Sequence, residues 1–286
     1  MSKARLLMIQ GTSSGCGKTT LVAALCRIFS DMGYCVAPFK AQNMSSNAYR
    51  IKHTSSQIAL AQAIQAVASR KKPDLRMNPI LLKPIGNYRS KVILGGDFYD
   101  KMHAITYYQQ FVLQKGFPFV LASLDSLREE NDIIIIEGAG SPAEINIQRY
   151  DIANMVLANQ VNAPVMMSSD IERGGCFASI VGTMRLLKPF HRQLIKGFII
   201  NKFRGDKKLL DPAINSVQKI TKRRFFGVVP KADFSLPNED SLDIKSSDNG
   251  VMNELCWNEQ ISLIAEVVSK SIDIQELSNH VIGLNR

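Results

Sequence analysis

Short apolar runs alternate with longer segments of helical period along this chain. Six of the runs are rich in aliphatic residues and are bounded by polar or glycine residues, a pattern that predicts buried strands. They cover residues 5–9, 35–39, 132–136, 164–168, 195–200 and 225–229. Continuous apolar strands that alternate with helices are typical of a parallel sheet covered on both faces. The pattern therefore predicts an α/β fold with a doubly wound, mostly parallel sheet.

Segments with apolar residues at every third or fourth position predict the helices between these strands. They cover residues 20–32, 56–70, 152–159, 176–187 and 209–221. The polar stretch SSDNG at 246–250 is the candidate linker, and residues 258–270 and 273–281 have helical patterns beyond it. We predict one domain over residues 1–244, on which the linker and terminal helices of residues 245–286 dock.

The composition, with 45% hydrophobic and 21% charged residues, is that of an ordinary globular protein. The longest purely aliphatic run, residues 133–136, is too short to span a bilayer. A predicted strand begins almost at once, which leaves no room for a signal peptide. The cysteines lack paired spacing, which favours reduced thiols. We therefore expect a cytoplasmic protein with no membrane partner.

The net charge of +10 favours anionic partners. The basic residues are dispersed, and the nearest thing to a basic run is KRR at 222–224, so we expect no nucleic-acid partner. Four scattered histidines make a zinc site improbable. Nucleotide phosphates and a polycarboxylate substrate are the anions that this charge would attract.

The stretch GTSSGCGKTT at 11–20 follows the first predicted strand and has the residues of a phosphate-binding loop. The usual spelling is G-x-x-x-x-G-K-[ST], whereas here Thr12 stands in the place of the first glycine. Backbone N–H groups of such a loop and of the following helix start bind phosphates. The residues expected to contact ATP here are Thr12, Ser13, Ser14, Gly15, Cys16, Gly17, Lys18, Thr19 and Thr20.

An acidic residue ends another predicted strand. Glu137 follows the run DIIII and precedes the turn GAG, where glycine lets the backbone approach a ligand closely. Carboxylate and hydroxyl oxygens suit Mg²⁺, so Glu137 and Thr19 are expected metal ligands. The plainer alternative is a carboxylate that merely faces solvent at the end of its strand.

Ten motifs in order carry a family resemblance. They are GTSSGCGKTT, APFKAQNMSSNA (37–48), AQAIQA (61–66), MNPILLKP (77–84), EGAGSPAEIN (137–146), DIANM (151–155), DIERGGCFAS (170–179), INKFRGD (200–206), FGVVP (226–230) and LPNEDSL (236–242). The set resembles the synthetase domain of the cobyric acid synthase family, in the dethiobiotin-synthetase-like branch of P-loop NTPases, over residues 4–244. That branch shares the GT-x-x-x-x-GKT spacing. The partition-ATPase branch carries an early lysine, where Ser13 stands here.

The resemblance implies ATP-dependent amidation of corrinoid side-chain carboxylates in cobalamin biosynthesis. Members of the family amidate the b, d, e and g carboxylates of cobyrinic acid a,c-diamide to give cobyric acid. A carboxylate is a poor acceptor for ammonia because its leaving group would be oxide, whereas an acyl phosphate formed from ATP has a good one. Phosphoryl transfer needs positioning and charge neutralisation more than a protein nucleophile.

The resemblance also implies roles for individual residues. Lys18, Lys40 and Glu137 are the expected catalytic residues, with Lys40 neutralising the transferring phosphoryl group. Asn201, Lys202 and Pro230 would complete the ATP site around the base. The residues expected to contact the corrinoid substrate are Lys40, Gln42, Asn43, Ser45, Lys83, Ser141, Glu144, Asp170 and Arg173.

Two of these substrate contacts have plainer explanations that stay open. Lys83 precedes a proline, and its plainer explanation is a solvated lysine beside a turn. Asp170 precedes a predicted helix and would serve as its N-terminal cap.

Two features depart from the family. Gln57 stands at a predicted helix start where the family has a glutamate, the second acidic metal ligand, and glutamine would coordinate only through its neutral carbonyl oxygen. Family members also carry a C-terminal glutaminase domain, whose nucleophilic cysteine has no counterpart in this sequence. We therefore expect the ammonia to come from solution or from a separate glutaminase subunit.

Two alternative functions stay open. The first is a related ATP-dependent carboxylate-activating enzyme, such as cobyrinate a,c-diamide synthase or dethiobiotin synthetase. The second is a non-biosynthetic ATPase whose binding is switched by nucleotide, as in the partition ATPases. The motif KAQNMSSN and the turn ERGG favour the corrinoid. Because relatives form dimers, we also expect a homodimer.

Overall fold

The structure is a computed structural model, and it describes residues 3–232 and 250–284. The strands are β1 (Arg5–Gly11), β2 (Val36–Phe39), β3 (Gln42–Met44), β4 (Ala48–Arg50), β5 (Gln57–Ala59), β6 (Ile80–Pro84), β7 (Arg89–Leu94), β8 (Asp97–His103), β9 (Ile133–Glu137), β10 (Val165–Asp170), β11 (Ile195–Phe203) and β12 (Arg224–Pro230).

Six strands form the main sheet in the order β12-β11-β10-β1-β9-β2, and every neighbouring pair is parallel. The six predicted apolar runs match these strands to within one residue at their starts, so the predicted doubly wound, mostly parallel sheet is confirmed. In such sheets ligands bind beyond the carboxyl ends of the strands. The loops after β1, β2, β9 and β10 meet at this edge, and they contain most of the predicted site residues.

Helices cover both faces of the main sheet. The helices are α1 (Lys18–Asp31), α2 (Leu60–Ala68), α3 (Ala104–Thr106), α4 (Phe117–Glu129), α5 (Met155–Gln160), α6 (Cys176–Leu186), α7 (Pro189–Leu194), α8 (Asp211–Thr221), α9 (Gly250–Ser269) and α10 (Ile274–Glu276). Two π-helical segments extend α3 and α10, at Tyr107–Gly116 and Leu277–Ile282. Short 3-10 turns lie at Leu75–Met77, Gln148–Tyr150 and Lys207–Leu210.

Successive residues of β1 belong to different apolar cores. Met8 packs in the core with Phe39 and Ile136, whereas Leu7 and Ile9 pack in the core formed with α1 and α9. Because successive side chains of a strand point to opposite faces, a sheet covered on both sides needs apolar residues at every position. This explains why the central strands are continuous apolar runs in the sequence.

A second, smaller sheet lies beside the main one and was not predicted. Its order is β3-β6-β7-β8, with β3 parallel to β6 and the other pairs antiparallel. Strands β4 and β5 form a separate antiparallel pair. On one face of the small sheet, Leu82 and Val92 join the main core, while on the other Leu81 and Ile93 pack with Ala59 of β5.

The predicted helix over residues 56–70 is wrong at its start. Gln57–Ala59 form strand β5, and α2 begins at Leu60. The backbone N–H of Ala59 donates to the side-chain oxygen of Asn78, and the N–H of Gln57 donates to the carbonyl of Gly96. Partners from distant parts of the chain therefore hold these residues extended.

The C-terminal helix α9 packs on α1 and α2. Ile261, Ile264 and Val268 are buried in the same core as Leu25. Residues 246–249 of the predicted linker (246–250) and the motif LPNEDSL lie outside the described residues. Within residues 3–232 and 250–284, no helix combines the length and apolar character that crossing a bilayer requires.

Candidate functional site

The loop between β1 and α1 passes through two left-handed glycines. Gly15 has φ 70° and Gly17, directly before α1, has φ 87°. A Cβ at Gly17 would lie 2.1 Å from Nδ2 of Asn201, so glycine is required there by both conformation and space. The first turn of α1 directs its N–H groups out of the helix end, which is an arrangement that binds anions.

The loop is held against the end of β10. The N–H of Thr12 donates to the carbonyl of Ser168 over 2.9 Å, and the Thr12 and Ser169 hydroxyls lie 2.9 Å apart. The Ser168 hydroxyl donates to the carbonyl of the buried Cys16 over 3.1 Å. These contacts fix the loop before any ligand arrives. The remaining loop residues expected to contact ATP are exposed or half-buried: Ser13, Ser14, Gly15 and Thr20.

Lys18 connects the loop to the turn that follows β9. Its Nζ donates to the carbonyls of Ser13, over 3.0 Å, and Gly140, over 2.9 Å. The side chain is only 7% exposed, so its ammonium group lies inside the loop rather than in solvent. This position suits a cation that contacts phosphate oxygens.

Glu137 is fully buried at the end of β9 and is the centre of a hydrogen-bond network. Its Oε1 accepts from the Thr19 hydroxyl over 2.8 Å and from Nζ of Lys40 over 2.9 Å. Its Oε2 accepts from Nε2 of Gln65 over 2.5 Å and of Gln62 over 3.5 Å. The alternative that Glu137 merely faces solvent is therefore wrong, and three residues predicted to act together meet at one carboxylate.

Gln62 and Gln65 were not predicted as site residues. Nδ2 of Asn43 donates to Oε1 of Gln62 over 2.9 Å, and Nε2 of Gln62 donates to Oε1 of Gln65 over 3.3 Å. These contacts connect the motif around Asn43 to Glu137. The spacing of the two glutamines could have indicated a shared role. They are three positions apart in the otherwise apolar α2, so they share one face of the helix.

Glu137 is ionised despite its burial. Burial alone raises the pKa of a carboxyl group, but the Lys40 ammonium and the donors from Gln65 and Thr19 outweigh it and hold the pKa of Glu137 below its usual range. A buried carboxylate of this kind persists only with such donors around it.

The oxygens of Thr19 and Glu137 fit Mg²⁺. A hydroxyl and an ionised carboxylate lie 2.8 Å apart beside the phosphate loop, and both are oxygen ligands of the kind that Mg²⁺ prefers. In the part of the chain that the structure describes, no group of three His, Cys, Asp or Glu residues could hold a metal. A cation here would therefore rely on oxygens of the nucleotide and water as well.

Asn201 and Lys202 contact the backbone of the phosphate loop. Nδ2 of Asn201 donates to the carbonyl of Cys16 over 3.0 Å, and Nζ of Lys202 donates to the carbonyl of Gly15 over 2.6 Å. Pro230 ends the neighbouring strand β12 and is half-buried. Contact of these residues with the base of ATP stays a prediction.

Asp170 ends β10 and does not cap the following helix. Its Oδ1 accepts from the N–H of Glu172 over 2.8 Å and its Oδ2 accepts from Nζ of Lys202 over 2.9 Å. Helix α6 begins only at Cys176, so the cap interpretation is wrong. Arg173 is exposed in the intervening turn, and its guanidinium group lies close to the phosphate loop.

The motif after β2 forms strand β3 and the turn beyond it. The Tyr107 hydroxyl donates to Oε1 of Gln42 over 2.6 Å, and burial raises the pKa of Tyr107, so its hydroxyl keeps the proton. Ser45 is buried, and its hydroxyl accepts from the N–H of Asn47 over 3.0 Å. Tyr107 was not predicted, because it lies in the π-helical segment, far from Gln42 in the sequence.

The turn after Glu137 is held by Asn154. Oδ1 of Asn154 accepts from the N–H of Ala139 over 3.0 Å, and Nδ2 donates to the Ala139 carbonyl over 2.6 Å. The same Nδ2 donates to Asp151, whose pKa burial raises to about 6. Of the predicted substrate residues in this region, Ser141 is buried and Glu144 is exposed.

Gln57 and Lys83 lie together on the small sheet and its neighbouring hairpin. Oε1 of Gln57 accepts from Nζ of Lys83 over 2.5 Å. The amides that contact Glu137 are instead those of Gln62 and Gln65. Metal ligation by Gln57 stays a prediction, and the structure gives its oxygen a different partner.

The nucleotide-binding domain described as CobQ/CobB/MinD/ParA matches residues 7–242. Cobyric acid synthase of Desulfitobacterium hafniense is 48% identical over 243 residues, which are 85% of this chain and 47% of that protein. The probable cobyric acid synthase of Thermococcus kodakarensis is 51% identical over 241 residues, which are 83% of this chain and 49% of that protein. The chain thus spans about half the length of the curated relatives it matches.

Solved structures resemble the chain more distantly. The septum site-determining protein MinD from Pyrococcus horikoshii, complexed with Mg-ADP, has a TM-score of 0.43 at 19% identity, covering 80% of this chain and 82% of that one. At this distance the likeness carries no argument about function.

Proposed function

The chain belongs to the CobQ/CobB/MinD/ParA nucleotide-binding domain family, and we propose that it uses ATP to activate corrinoid carboxylates for amidation by ammonia. The proposed substrate is cobyrinic acid a,c-diamide and the product is cobyric acid. The observation that carries the proposal is the 48–51% identity with curated cobyric acid synthases over most of this chain. The convergence of Thr19, Lys40 and Glu137 beside the phosphate loop supports the ATP-dependent step.

The proposed reaction has two steps. A carboxylate oxygen of the corrinoid attacks the γ-phosphorus of ATP, the bond to the bridging oxygen breaks, and ADP leaves. Ammonia then attacks the carbonyl carbon of the acyl phosphate, phosphate leaves with the former carboxylate oxygen, and the nitrogen loses a proton. Positioning and charge neutralisation supply most of the catalysis in phosphoryl transfer of this kind.

The residues at the loop would hold the nucleotide. Lys18 lies where its ammonium group would exchange the carbonyls of Ser13 and Gly140 for phosphate oxygens. Thr19 and Glu137 would hold Mg²⁺, which when bound would neutralise phosphate charge. Glu137 is already ionised by its neighbours, so no proton has to leave before it serves as a ligand.

Lys40 is the residue proposed to face the transferring phosphoryl group. It follows β2 at the carboxyl edge of the sheet, it is 3% exposed, and its Nζ lies 2.9 Å from Glu137. A cation held in a low-dielectric site neutralises developing charge more strongly than one in water. Next along the chain, Gln42, Asn43 and Ser45 would offer neutral groups to the carboxylates and amides of the corrinoid.

The ammonia source, a separate glutaminase subunit, the homodimer and the cytoplasmic location stay predictions. A separate glutaminase subunit and ammonia from solution would deliver the same nucleophile, ammonia, to the acyl phosphate. Free ammonium salt therefore suffices to test the chemistry of this chain.

The test combines the protein with MgATP, ammonium chloride and cobyrinic acid a,c-diamide. We expect ADP release that requires the corrinoid, and products with the mass change of a hydroxyl replaced by an amino group. With ¹⁸O in the substrate carboxylates, one ¹⁸O should appear in phosphate for every amide formed, because the acyl phosphate transfers that oxygen. Lys40→Ala should lose turnover and keep MgATP binding, whereas Lys196→Ala, an exposed lysine at the opposite edge, should match the wild type.

Other outcomes would identify the alternatives. Amidation at the a and c carboxylates of cobyrinic acid instead would indicate a diamide synthase, and ring closure of a diamino acid with CO₂ would indicate a dethiobiotin synthetase. ATP turnover that is indifferent to every acid would leave a nucleotide-switched ATPase and would contradict the proposal.

A further inference from the structure

Three lysines form a row across the small sheet. In the strand register, Lys83 of β6 lies directly opposite Lys91 of β7, and Lys91 lies directly opposite Lys101 of β8. Directly opposed residues point to the same face, so the three side chains share one face of the sheet. With neighbouring strands about 4.8 Å apart, this lysine ladder (Lys83, Lys91 and Lys101) spans about 10 Å.

The ammonium groups of the ladder repel one another. Like charges directly opposite each other destabilise a sheet, and here two such pairs follow in succession. Within the described residues, no carboxylate forms an ion pair with the ladder or with Arg50. Lysines often protect edge strands from aggregation, but that would explain only Lys101, because β6 and β7 lie inside the sheet.

Lys83 is the half-buried member of the ladder. Its Nζ donates to the neutral oxygen of Gln57 over 2.5 Å rather than to an anion. Arg50 of β4 lies directly opposite Gln57 in the β4–β5 pair and adds another cation beside Lys83. An anion placed among these cations would relieve both the burial cost and the repulsion.

A chain of buried contacts links the ladder's face of the small sheet to Glu137. Leu81 and Lys83 share one face of β6, and Asn43 is the register partner of Leu81. Asn43 then contacts Gln62, which contacts Glu137. Lys83 is two residues beyond Leu81, about 7 Å along the strand. The strand that carries Lys83 is therefore connected, through buried side chains, to the elements that position Glu137.

We propose that the lysine ladder, with Arg50, binds those carboxylates of a polycarboxylate substrate that are not reacting. The inference rests on the proposed function and names the part of the protein that anchors the substrate while one carboxylate is phosphorylated. Ammonium–carboxylate contacts are charge-assisted hydrogen bonds, and a row of three matches a ligand with several carboxylates around one ring. No covalent step takes place at the ladder.

The test compares two double variants with the same change of net charge. Lys91→Gln with Lys101→Gln removes the two exposed members of the ladder, and Lys196→Gln with Lys219→Gln removes two exposed lysines elsewhere. Titration calorimetry measures the affinity for cobyrinic acid a,c-diamide, cobyric acid and MgATP. We expect the ladder variant to bind the diamide roughly ten-fold more weakly, with a smaller loss for cobyric acid, whose four amidated groups carry no charge. MgATP affinity should not change.

Further measurements distinguish a failure of the ladder proposal from a failure of the proposed function. Lys91→Arg with Lys101→Arg should keep wild-type affinity, and added salt should narrow the difference between the wild type and the glutamine variant. Equal diamide affinity in the ladder and control variants would overturn the proposed role of the ladder, while the proposed function would stand. A loss of MgATP affinity in the glutamine variant of the ladder would show that the ladder binds the nucleotide, and would also overturn the proposed role in substrate binding. A wild-type protein that binds no corrinoid would overturn both proposals.

Discussion

Lys40 and Lys83 lie in opposite electrostatic settings. Lys40 is buried, and its ammonium group lies 2.9 Å from the Glu137 carboxylate. Lys83 is half-buried, and its ammonium group faces two other cations and the neutral amide of Gln57. The first charge has a carboxylate partner, whereas no carboxylate in residues 3–232 or 250–284 pairs with the second.

The difference indicates two kinds of site. Lys40 is positioned by a charge partner within the fold, whereas Lys83 is the type of cation that we propose to bind a substrate anion. Removing a carboxylate and an ammonium from water costs more than their attraction usually returns, so the Lys40–Glu137 pair is not explained by stability. It is explained by fixing two charged groups next to a phosphate loop. The ladder costs the fold little because it is partly solvated, and its proposed role is to bind an anion.

Lys18→Ala should give the largest effect of any single substitution. The Lys18 ammonium is the cation inside the phosphate loop, so its loss should weaken MgATP affinity at least about 1,000-fold, equivalent to about 4 kcal/mol. The melting temperature should stay near the wild-type value, because the lysine contacts two carbonyls that water can hydrate. Calorimetric titration with MgATP measures this, and Lys196→Ala is the control. Wild-type affinity in the variant would show that this loop is not the phosphate site.

Glu137→Gln should destabilise the fold by about 3 kcal/mol, because the new amide group would put a donor against the donors that now surround the carboxylate. The lowered pKa of Glu137 fixes the pH dependence. The advantage of the wild type should be complete above the unfolded pKa of about 4.3 and should be lost as the pH falls through the lower folded value.

Urea unfolding at a series of pH values measures this difference. Glu129→Gln, at an exposed carboxylate, is the control and should stay within about 0.5 kcal/mol of the wild type. A difference between wild type and Glu137→Gln that grew in acid would contradict an ionised, stabilised Glu137.

Gln65→Ala should also destabilise the fold, but by less than Glu137→Gln does. It removes the donor 2.5 Å from Oε2 of Glu137 and leaves the ion pair with Lys40 in place. We expect a loss of about 1.5 kcal/mol in the free energy of unfolding, typical of one hydrogen bond to a charged group. Gln193→Ala, at an exposed glutamine, is the control. Equal unfolding free energies for Gln65→Ala and wild type would mean that the network does not need this amide.

The sequence predicts the buried network far better than the ladder. The phosphate loop and Glu137 follow continuous apolar strands, and their chemistry is local in the chain. Gln62 and Gln65 were missed because, in a helix of alanines, their role depends on which element packs against that face. Tyr107 was missed because nothing in its own segment indicates Gln42 as its partner.

The small sheet and the separate β4–β5 pair escaped prediction for a different reason. Strands β3, β4 and β5 have three residues each, with polar residues among them, so they lack the alternation that indicates a strand. Lys91 and Lys101 are ordinary charged residues until the register of two antiparallel pairs aligns them with Lys83. Register is a property of the folded sheet, and a single sequence does not contain it in readable form.

Lys83→Gln should give the smallest change in the free energy of unfolding, and this change should depend on pH in the opposite sense to that of Glu137→Gln. The lowered pKa of Lys83 means that the folded chain holds this proton less tightly than the unfolded chain does. The charged lysine therefore costs stability below the folded pKa, and the cost is relieved as the pH rises towards the unfolded value of about 10.4. Because Lys83 is partly solvated, the gain of the variant near neutral pH should be only about 0.3 kcal/mol.

Urea unfolding at about pH 7 and about pH 10 measures the effect, with Lys196→Gln as the control for general loss of a lysine. The difference between Lys83→Gln and wild type should shrink at the higher pH, whereas the control should show no comparable trend. If Lys83→Gln were instead less stable than wild type near neutral pH, Lys83 would already have a compensating anion within the protein. The ladder would then belong with the buried Lys40 pair as a structural feature, and the contrast between the two regions would be lost.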